Sequence, residues 1–383
     1  MVQPDHGNPQ LAVDEPDTRV RRLGRDLRAV LPSWITARLL LVVAAFLAKG
    51  VAAHDFHGLE PFQLGKGLAA WDGSFYLDLS RVGYAAMPRA ALRFFPLYPL
   101  IGRALAPVAG GHLSALVIVA NVASLVAGVL VRRLVMAERD DPALADRAVW
   151  ITNLFPASFV LVFAYSESVF LALVVGCFLC ARRGRFGSAG VLAALAALTR
   201  PVGVLLVAPL AVEAVQGWGR AGAADRARRI WAVLAAPAGM SVYLGWVGST
   251  FGDATAPFRV QEQLRGSADP VSRLFRGIGQ LFGPQRFSDG LHIPFAFLFV
   301  ALLVVVARRW PLSYTVYAAL VLVAALSANN LNSIERYALS AFPLLFALAD
   351  VTSSRRAEWL ALAVCGNGFV AMAALAWLGV YVP

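Results

Sequence analysis

Long runs of apolar residues alternate with short arginine-rich segments along most of the chain. Leu, Val and Ala occupy every position of the helical repeat in these runs, which favours helices over the alternating strands of an outer-membrane barrel. The first run, 31–53, is too long for the core of a cleaved signal peptide and predicts a retained first span. Further spans are predicted near 113–131, 148–165, 167–181, 188–200, 201–217, 230–251, 291–307, 311–328, 335–351 and 358–381.

The pattern therefore predicts an all-α polytopic protein with about eleven spans. One transmembrane domain covers 31–383 and follows a disordered cytoplasmic leader over 1–30. Two segments between spans are long, 54–112 and 252–290, and the first is expected to carry short helices.

Groups of arginines stand at the ends of the apolar runs. They are Arg19/Arg21/Arg22/Arg25/Arg28, Arg132/Arg133/Arg139/Arg147, Arg182/Arg183/Arg185, Arg220/Arg226/Arg228/Arg229, Arg308/Arg309 and Arg355/Arg356. If all of them face the cytoplasm, the N-terminus is cytoplasmic and both long segments are external. The same orientation brings four unusual polar sites, 71–72, 165–167, 199–201 and Arg336, to the extracytoplasmic side of the cell inner (plasma) membrane.

Composition supports a membrane protein and excludes other classes. Of the 383 residues, 59% are hydrophobic, which leaves too little polar surface for a soluble globule of this length. The net charge of +11 does not indicate nucleic-acid binding, because the arginines lie at span ends and form no single stripe. Cys177 and Cys180 form a C-x-x-C inside a predicted span, where thiols act as small hydrophobes more often than as ligands.

The external segment 252–290 contains a predicted amphipathic helix. Its apolar residues recur at helical spacing with arginines between them: Val271, Leu274, Phe275, Ile278 and Phe282. A helix of this kind lies on the membrane surface and gathers anionic lipid headgroups. The alternative is a helix that only packs over the spans.

The candidate chemistry starts at Asp72. If 71–78 is helical, Asp72 and Tyr76 share a face and Asp78 is rotated away, so Asp72 is the better candidate for a catalytic carboxylate. The alternative is that Asp72 only caps the helix. Downstream, the prolines in Phe94-Phe95-Pro96-Leu97-Tyr98-Pro99 predict a broken segment that lines a cavity, or else a simple aromatic belt.

Two tight external turns place opposite charges at the same membrane boundary. Tyr165-Ser166-Glu167 supplies a carboxylate and Thr199-Arg200-Pro201 a guanidinium, and ionisable groups at this depth usually have partners. Arg336 adds a second cation, although Glu335 beside it raises the alternative of a local surface pair. His54, Asp55 and His57 match a metal site only loosely, and no nucleotide-binding motif is present.

In this order, these segments resemble the PIG-V family of membrane mannosyltransferases, multi-span glycosyltransferases of the GT-C class that use lipid-phosphate sugars. The resemblance covers about residues 70–205 and continues loosely to Arg336-Tyr337. It rests on Trp71-Asp72, Phe75-Tyr76-Leu77, Gly83-Tyr84, Phe94-Phe95-Pro96 with Pro99, Pro156-Ala157-Ser158, Tyr165-Ser166-Glu167 and Arg200 with Gly203. The chain departs from the family at Pro201-Val202, where eukaryotic members tend to carry Ser-Asn.

The resemblance implies transfer of mannose from a polyprenyl-phosphate donor to a lipid-linked or glycan hydroxyl acceptor, with inversion, among membrane lipids. In that class an acid of the first external loop is the expected base, and the matching residue is Asp72. Arg200, Arg336 or arginines of the external loops would then stabilise the departing phosphate, while Trp71, Tyr76 and Tyr165 would bind substrate. Glu167 would bind sugar hydroxyls or orient an arginine. No cofactor is expected, and a divalent metal stays open.

Two other functions stay open. A transporter or flippase for a polyprenyl-linked lipid also needs many spans, but it should carry ionisable residues at mid-membrane, and the centres of the predicted spans are almost free of charge. A non-catalytic subunit of a glycosylation complex would keep the fold without the activity.

Overall fold

The computed structural model describes residues 16–55, 61–282 and 289–383, and these form helices and turns without a strand. The α-helices are α1 (Pro16–Asp55), α2 (Phe62–Gly65), α3 (Asp72–Val82), α4 (Leu97–Leu105), α5 (His112–Arg139), α6 (Pro142–Leu154), α7 (Glu167–Arg182), α8 (Phe186–Thr199), α9 (Val207–Val215), α10 (Ala223–Phe251), α11 (Ala256–Arg265), α12 (Pro270–Phe282), α13 (Ile293–Arg309), α14 (Leu312–Leu326), α15 (Ile334–Ser340), α16 (Pro343–Val351) and α17 (Arg355–Trp377). The predicted all-α class is confirmed for this part of the chain.

Within the described ranges, five helical segments are long and apolar enough to cross a membrane: Val20–His54, His112–Arg139, Ala223–Phe251, Gly290–Arg309 and Arg355–Trp377. Shorter apolar helical segments, Phe186–Thr199, Pro201–Val215 and Leu312–Leu326, pack among them. The protein therefore has the helices of a multi-pass membrane protein.

Residues 16–30 of the predicted leader are helical, because α1 begins at Pro16 and runs without interruption into the first apolar run. Asp26 on this part of α1 is buried and accepts hydrogen bonds from Arg132 at 2.8 Å and Arg133 at 2.6 Å. These charge-assisted bonds hold the polar start of α1 against the end of α5.

One predicted span is broken by proline, and two others depart from a single α-helix. A proline has no N–H for the helix ladder and disfavours the helical conformation of the residue before it. The predicted span 148–165 thus ends as α6 at Leu154 and continues as a 3₁₀-helix, Pro156–Leu161. The span 201–217 starts at Pro201 with a 3₁₀-helix, Pro201–Leu206. The span 335–351 divides into α15 and α16 at Ala341, and Pro343 occupies the first turn of α16.

The arginine groups of the sequence gather at one end of the bundle. Ion pairs there join helix ends that are distant in sequence: Arg132–Asp26, Arg182–Glu138, Arg182–Glu213, Arg139–Asp350, Arg309–Asp350 and Arg147–Glu358. Arg229 on α10 donates to the Ala214 carbonyl at the end of α9, at the same end. The other end of the bundle carries the two long segments between spans.

Helix α7 lies at the centre of the bundle and is buried on nearly all sides. It packs between α5 and α8, as expected for a helix that is apolar around its whole circumference. Its first residue, Glu167, is only 2% exposed. The central helix therefore delivers a carboxylate to the end of the bundle opposite the arginine groups.

Candidate functional site

A cavity of about 330 Å³ opens at this second end of the bundle. Its walls come from the start of α3, the turn between α8 and the 3₁₀-helix that follows, α11, the loop between α14 and α15, and the last residues of the chain. The lining side chains that carry charge are Asp72, Arg93, Arg200, Arg265 and Arg336. The remaining lining residues are Tyr76, Phe94, Phe95, Thr199, Pro201, Val202, Gln261, Leu264, Asn330, Asn332, Ser333, Tyr337, Val382 and Pro383.

Arg336 joins the two carboxylates of the site. Its Nη1 donates to Asp72 Oδ2 at 3.0 Å and to Glu167 Oε1 at 3.1 Å. Arg200 forms a second ion pair with Glu167, and Arg93 Nη2 lies 3.7 Å from Asp72 Oδ1. The structure thus brings together Asp72, Glu167, Arg200 and Arg336, the four charges that the sequence placed on one side.

Helix α3 begins at Asp72, and its spacing places Tyr76 on the cavity as predicted. Tyr76 is buried and its hydroxyl hydrogen-bonds the Ser166 hydroxyl at 2.7 Å. Burial raises the pKa of Tyr76 above its ordinary value, so this hydroxyl stays protonated and does not act as a base. Asp78 is exposed on the far side of α3, which leaves Asp72 as the carboxylate of this helix that reaches the cavity.

The alternative that Asp72 only caps α3 does not fit the geometry. The N-cap position is Trp71, which makes no side-chain cap hydrogen bond, and the Asp72 carboxylate contacts Arg336 and Arg93. The side chain of Asp72 is 24% exposed, so a ligand in the cavity can reach it.

Two residues with left-handed backbone begin the helices that hold the central ion pair. Trp71 has φ 54° immediately before α3, and Ser333 has φ 68° immediately before α15. Such conformations cost side-chain-bearing residues about 1–3 kcal/mol and persist where surrounding contacts hold them. Here the Gln63 side chain accepts from the Trp71 N–H at 2.8 Å, and Ser333 Oγ donates to the Val382 carbonyl.

The broken segments position Glu167 and Arg200. The chain after Pro156–Leu161 turns into α7 at Ser166, so Glu167 occupies the first helical turn, where a carboxylate is favoured by the helix dipole. The 3₁₀-helix after Arg200 folds closely onto α8: a Cβ at Gly203 would lie 2.5 Å from the Ala196 carbonyl carbon. Only glycine permits this approach, which aims Arg200 toward Glu167.

Trp71 and Tyr165, for which the resemblance implies a role in binding substrate, are not among the residues that line the cavity. The Trp71 indole donates to the Ala376 carbonyl of α17 at 2.8 Å. Tyr165 is fully buried, accepts from the Asp72 N–H at 3.2 Å, and lies under the Arg336 guanidinium. Both residues support Asp72 and Arg336 from behind. Glu167 also lies behind the cavity wall, where its carboxylate is placed to orient an arginine.

Glu335 is not the surface partner of Arg336 that the sequence allowed. Its carboxylate is fully buried and accepts hydrogen bonds from the Tyr381 hydroxyl at 3.0 Å and contacts His292 Nδ1 at 2.8 Å. Neighbouring residues of α15 therefore point to different partners. Glu335 fixes the base of α15, and Arg336 is left for the cavity.

Two arginines of the cavity were missed as individual site residues in the sequence. Arg93 directly precedes the predicted broken segment at Phe94, and its guanidinium packs over the Phe94 ring at 4.7 Å from the centroid. Arg265 ends α11 and donates to the Tyr337 hydroxyl at 3.0 Å and to the Asn332 carbonyl. With these two, the site has four guanidinium groups against two carboxylates, which favours an anionic ligand.

Arg38 is a charge inside the first predicted span. Its guanidinium donates to Asn121 Oδ1 at 2.9 and 3.0 Å and to Ser124 Oγ at 2.6 Å, both on α5. Asn121 in turn donates to the Val162 carbonyl at 3.1 Å, three residues before Tyr165. This chain of hydrogen bonds ties α1 and α5 to the segment that carries Glu167.

No cluster of three potential metal ligands is found among the residues that the structure describes. Of the loosely matched metal candidates, His57 and the side chain of Asp55 lie outside the described residues. Comparisons with protein-family models and with curated proteins give no significant match.

Proposed function

We propose that this protein is a membrane glycosyltransferase that moves mannose from a polyprenyl-phosphate donor to a hydroxyl acceptor with inversion at the anomeric carbon. The proposal includes about eleven membrane crossings, a cytoplasmic N-terminus and a cavity open to the extracytoplasmic side of the inner membrane. The observation that carries it is the accessible Asp72 carboxylate in a cavity that four arginines also line. The resemblance to the PIG-V family supports mannose as the sugar.

The reaction needs a base for the acceptor hydroxyl. Asp72 takes the proton as the acceptor oxygen attacks the anomeric carbon, and a new C–O bond forms on the face opposite the leaving group. The bond between the anomeric carbon and the phosphate oxygen breaks, and its electron pair stays on the phosphate. Tyr76, beside Asp72 on the cavity wall, is placed to hydrogen-bond the sugar or the acceptor.

The leaving phosphate gains negative charge as the bond breaks. Preorganised cations that face this charge lower the barrier, because they need no reorganisation during the reaction. Arg200 and Arg336 are held by Glu167, so their positions do not depend on the ligand. Arg93 and Arg265 lie on other walls of the cavity and extend the positive surface around it.

A flippase for the same lipid is the second candidate, and the structure gives it less support. An alternating-access path requires both ends of the bundle to open. The end opposite the cavity is tied by the ion pairs of Arg132, Arg182 and Arg309. Arg38 is charged and lies inside a predicted span, but it is engaged with Asn121 and Ser124 between α1 and α5 and does not line the cavity.

The test is transfer of label from radiolabelled polyprenyl-phosphate mannose. Membranes that contain the protein, supplied with lipid and glycan extracts as acceptors, should form a labelled product that is absent from membranes lacking the protein. If reconstituted protein moves the labelled lipid between leaflets without forming a glycosylated product, the flippase replaces the transferase. If neither transfer nor movement occurs with the full set of acceptors, the assembly-subunit function replaces both.

A further inference from the structure

Helix α12 turns its apolar residues away from the protein. Four large side chains recur at positions i, i+4, i+7 and i+11, which places them on one helical face. Their exposed fractions are 60% for Val271, 70% for Phe275, 44% for Ile278 and 84% for Phe282. We call these four residues the apolar stripe of α12.

A different face of α12 makes the contact with the bundle. Gly277 and Arg273 are buried there, and a Cβ at Gly277 would lie 2.3 Å from the Cδ1 atom of Ile293, the first residue of α13. The absence of a side chain at Gly277 allows α12 to lie directly on the start of α13. A helix that only covers the spans would be expected to bury its large apolar residues, so the exposed stripe favours a position on the membrane surface.

The position of α12 coincides with the beginning of a membrane-spanning segment. Gly290–Arg309 is long and apolar enough to cross a membrane, and its outer surface exposes Phe297, Leu298 and Val304. These residues contact lipid when the segment spans the bilayer. Helix α12 therefore lies beside the first turn of this segment, where a span meets the lipid headgroups.

The charges of α12 indicate which lipids it meets. The helix contains two arginines and no acidic residue, and Arg276 is exposed. Exposed arginine beside an apolar face suits the boundary between anionic phosphates and acyl chains.

We propose that α12 is an interfacial helix that inserts its apolar stripe into the leaflet on the cavity side and binds the phosphate of an anionic lipid through Arg276. Helix α11, which lines the cavity with Arg265, is joined to α12 by a short linker. The linker is fixed to the α14–α15 loop, because the Ala268 N–H donates to the Ser327 carbonyl at 2.8 Å. Lipid contact at α12 thus anchors one wall of the cavity.

The proposal is tested with nitroxide labels on the full chain in nanodiscs. The three native cysteines are replaced by alanine, and single cysteines are introduced by Phe275→Cys in the stripe and by Ser272→Cys on the exposed polar side as the matched control. Collisions with oxygen report lipid, and collisions with a water-soluble nickel chelate report water. Oxygen should dominate at position 275 and the nickel chelate at position 272.

Two results would overturn the insertion of α12. Dominant nickel collisions at position 275 mean that the stripe is in water. Suppressed collisions with both reagents mean that a protein covers the stripe, and dipolar broadening between labels identifies that protein as a second copy of the chain.

The contact between Arg276 and lipid phosphate has its own test. Replacing phosphatidylcholine by phosphatidylglycerol should move the label at position 275 deeper into the bilayer, and Arg276→Gln should abolish this shift. An unchanged shift in Arg276→Gln would reject Arg276 as the lipid ligand.

Discussion

Arg336 donates a hydrogen bond of 3.0 Å to the Asp72 carboxylate across 264 positions of sequence. The same Nη1 atom contacts Glu167, so one guanidinium sets the distance between a carboxylate in the cavity wall and a carboxylate behind it. The two N–H donors of this Nη1 atom lie in the guanidinium plane at a fixed angle, so the nitrogen holds its two acceptors in defined directions.

Asp72→Asn should abolish sugar transfer without unfolding the protein. The amide keeps the size of the side chain but cannot accept the acceptor proton, and the loss of a general base lowers turnover by about 100-fold or more. The matched control is Asp78→Asn, on the same helix but exposed and away from the cavity, which should keep normal turnover. Turnover of the Asp72 variant within a few fold of the native rate would reject Asp72 as the base.

Removing the buried carboxylate of Glu167 should destabilise the protein. Glu167→Gln leaves Arg200 and Arg336 without their shared partner, and breaking a buried ion pair on one side costs about 3 kcal/mol. Thermal unfolding of Glu167→Gln, Arg200→Gln and the double variant measures the coupling. The double variant should be more stable than the sum of the single changes predicts, by about 1 kcal/mol or more. Strictly additive effects would mean that the two side chains do not interact.

Arg93→Gln should weaken the binding of polyprenyl phosphate. Hydrogen bonds to charged groups contribute about 1.5–3 kcal/mol, so the dissociation constant should rise roughly tenfold or more. Arg89→Gln is the matched control, because Arg89 begins the same 3₁₀-helix but is exposed and does not line the cavity. Equal effects of the two substitutions, measured by titration of the purified protein, would contradict a specific role for Arg93.

Trp71→Phe should affect stability more than catalysis. Phenylalanine keeps an aromatic ring but cannot donate to the Ala376 carbonyl, which costs about 1 kcal/mol. Because Trp71 does not line the cavity, the KM for the donor should stay unchanged while the unfolding temperature falls. A large rise in KM with unchanged stability would restore the predicted role of Trp71 in holding the sugar.

The start of α12 should loosen at acidic pH. The Ser272 N–H donates to the Asp269 carboxylate at 2.8 Å, and this bond lowers the pKa of Asp269 below its ordinary value. Its contribution to the helix is therefore present above the unfolded-state pKa and is lost as the pH falls through the folded-state pKa. Hydrogen-exchange protection factors at 271–273, corrected for intrinsic rates, should fall in acid. Asp269→Asn keeps a cap without a titrating group and should show no such fall.

The sequence alone determined the helical class and the separation of charges. Apolar runs without alternation can form only helices in a membrane, and the arginine groups lie where those helices end. The spacing of Asp72 and Tyr76 also placed both on one face, since that relationship depends only on the helical repeat. The breaks inside 148–165 and 335–351 were missed because hydropathy does not respond to the local backbone changes at Pro156 and Ala341.

The tertiary structure alone decided which charges meet. Periodicity within a run says which face a residue occupies but not which distant helix faces it, so the contact of Arg336 with Asp72 had no local signal. For the same reason Glu335 could not be assigned to His292 and Tyr381, nor the Trp71 indole to α17. The packing of helices over the whole bundle determines which side chains come into contact. Neighbouring residues of one short helix therefore contact different partners.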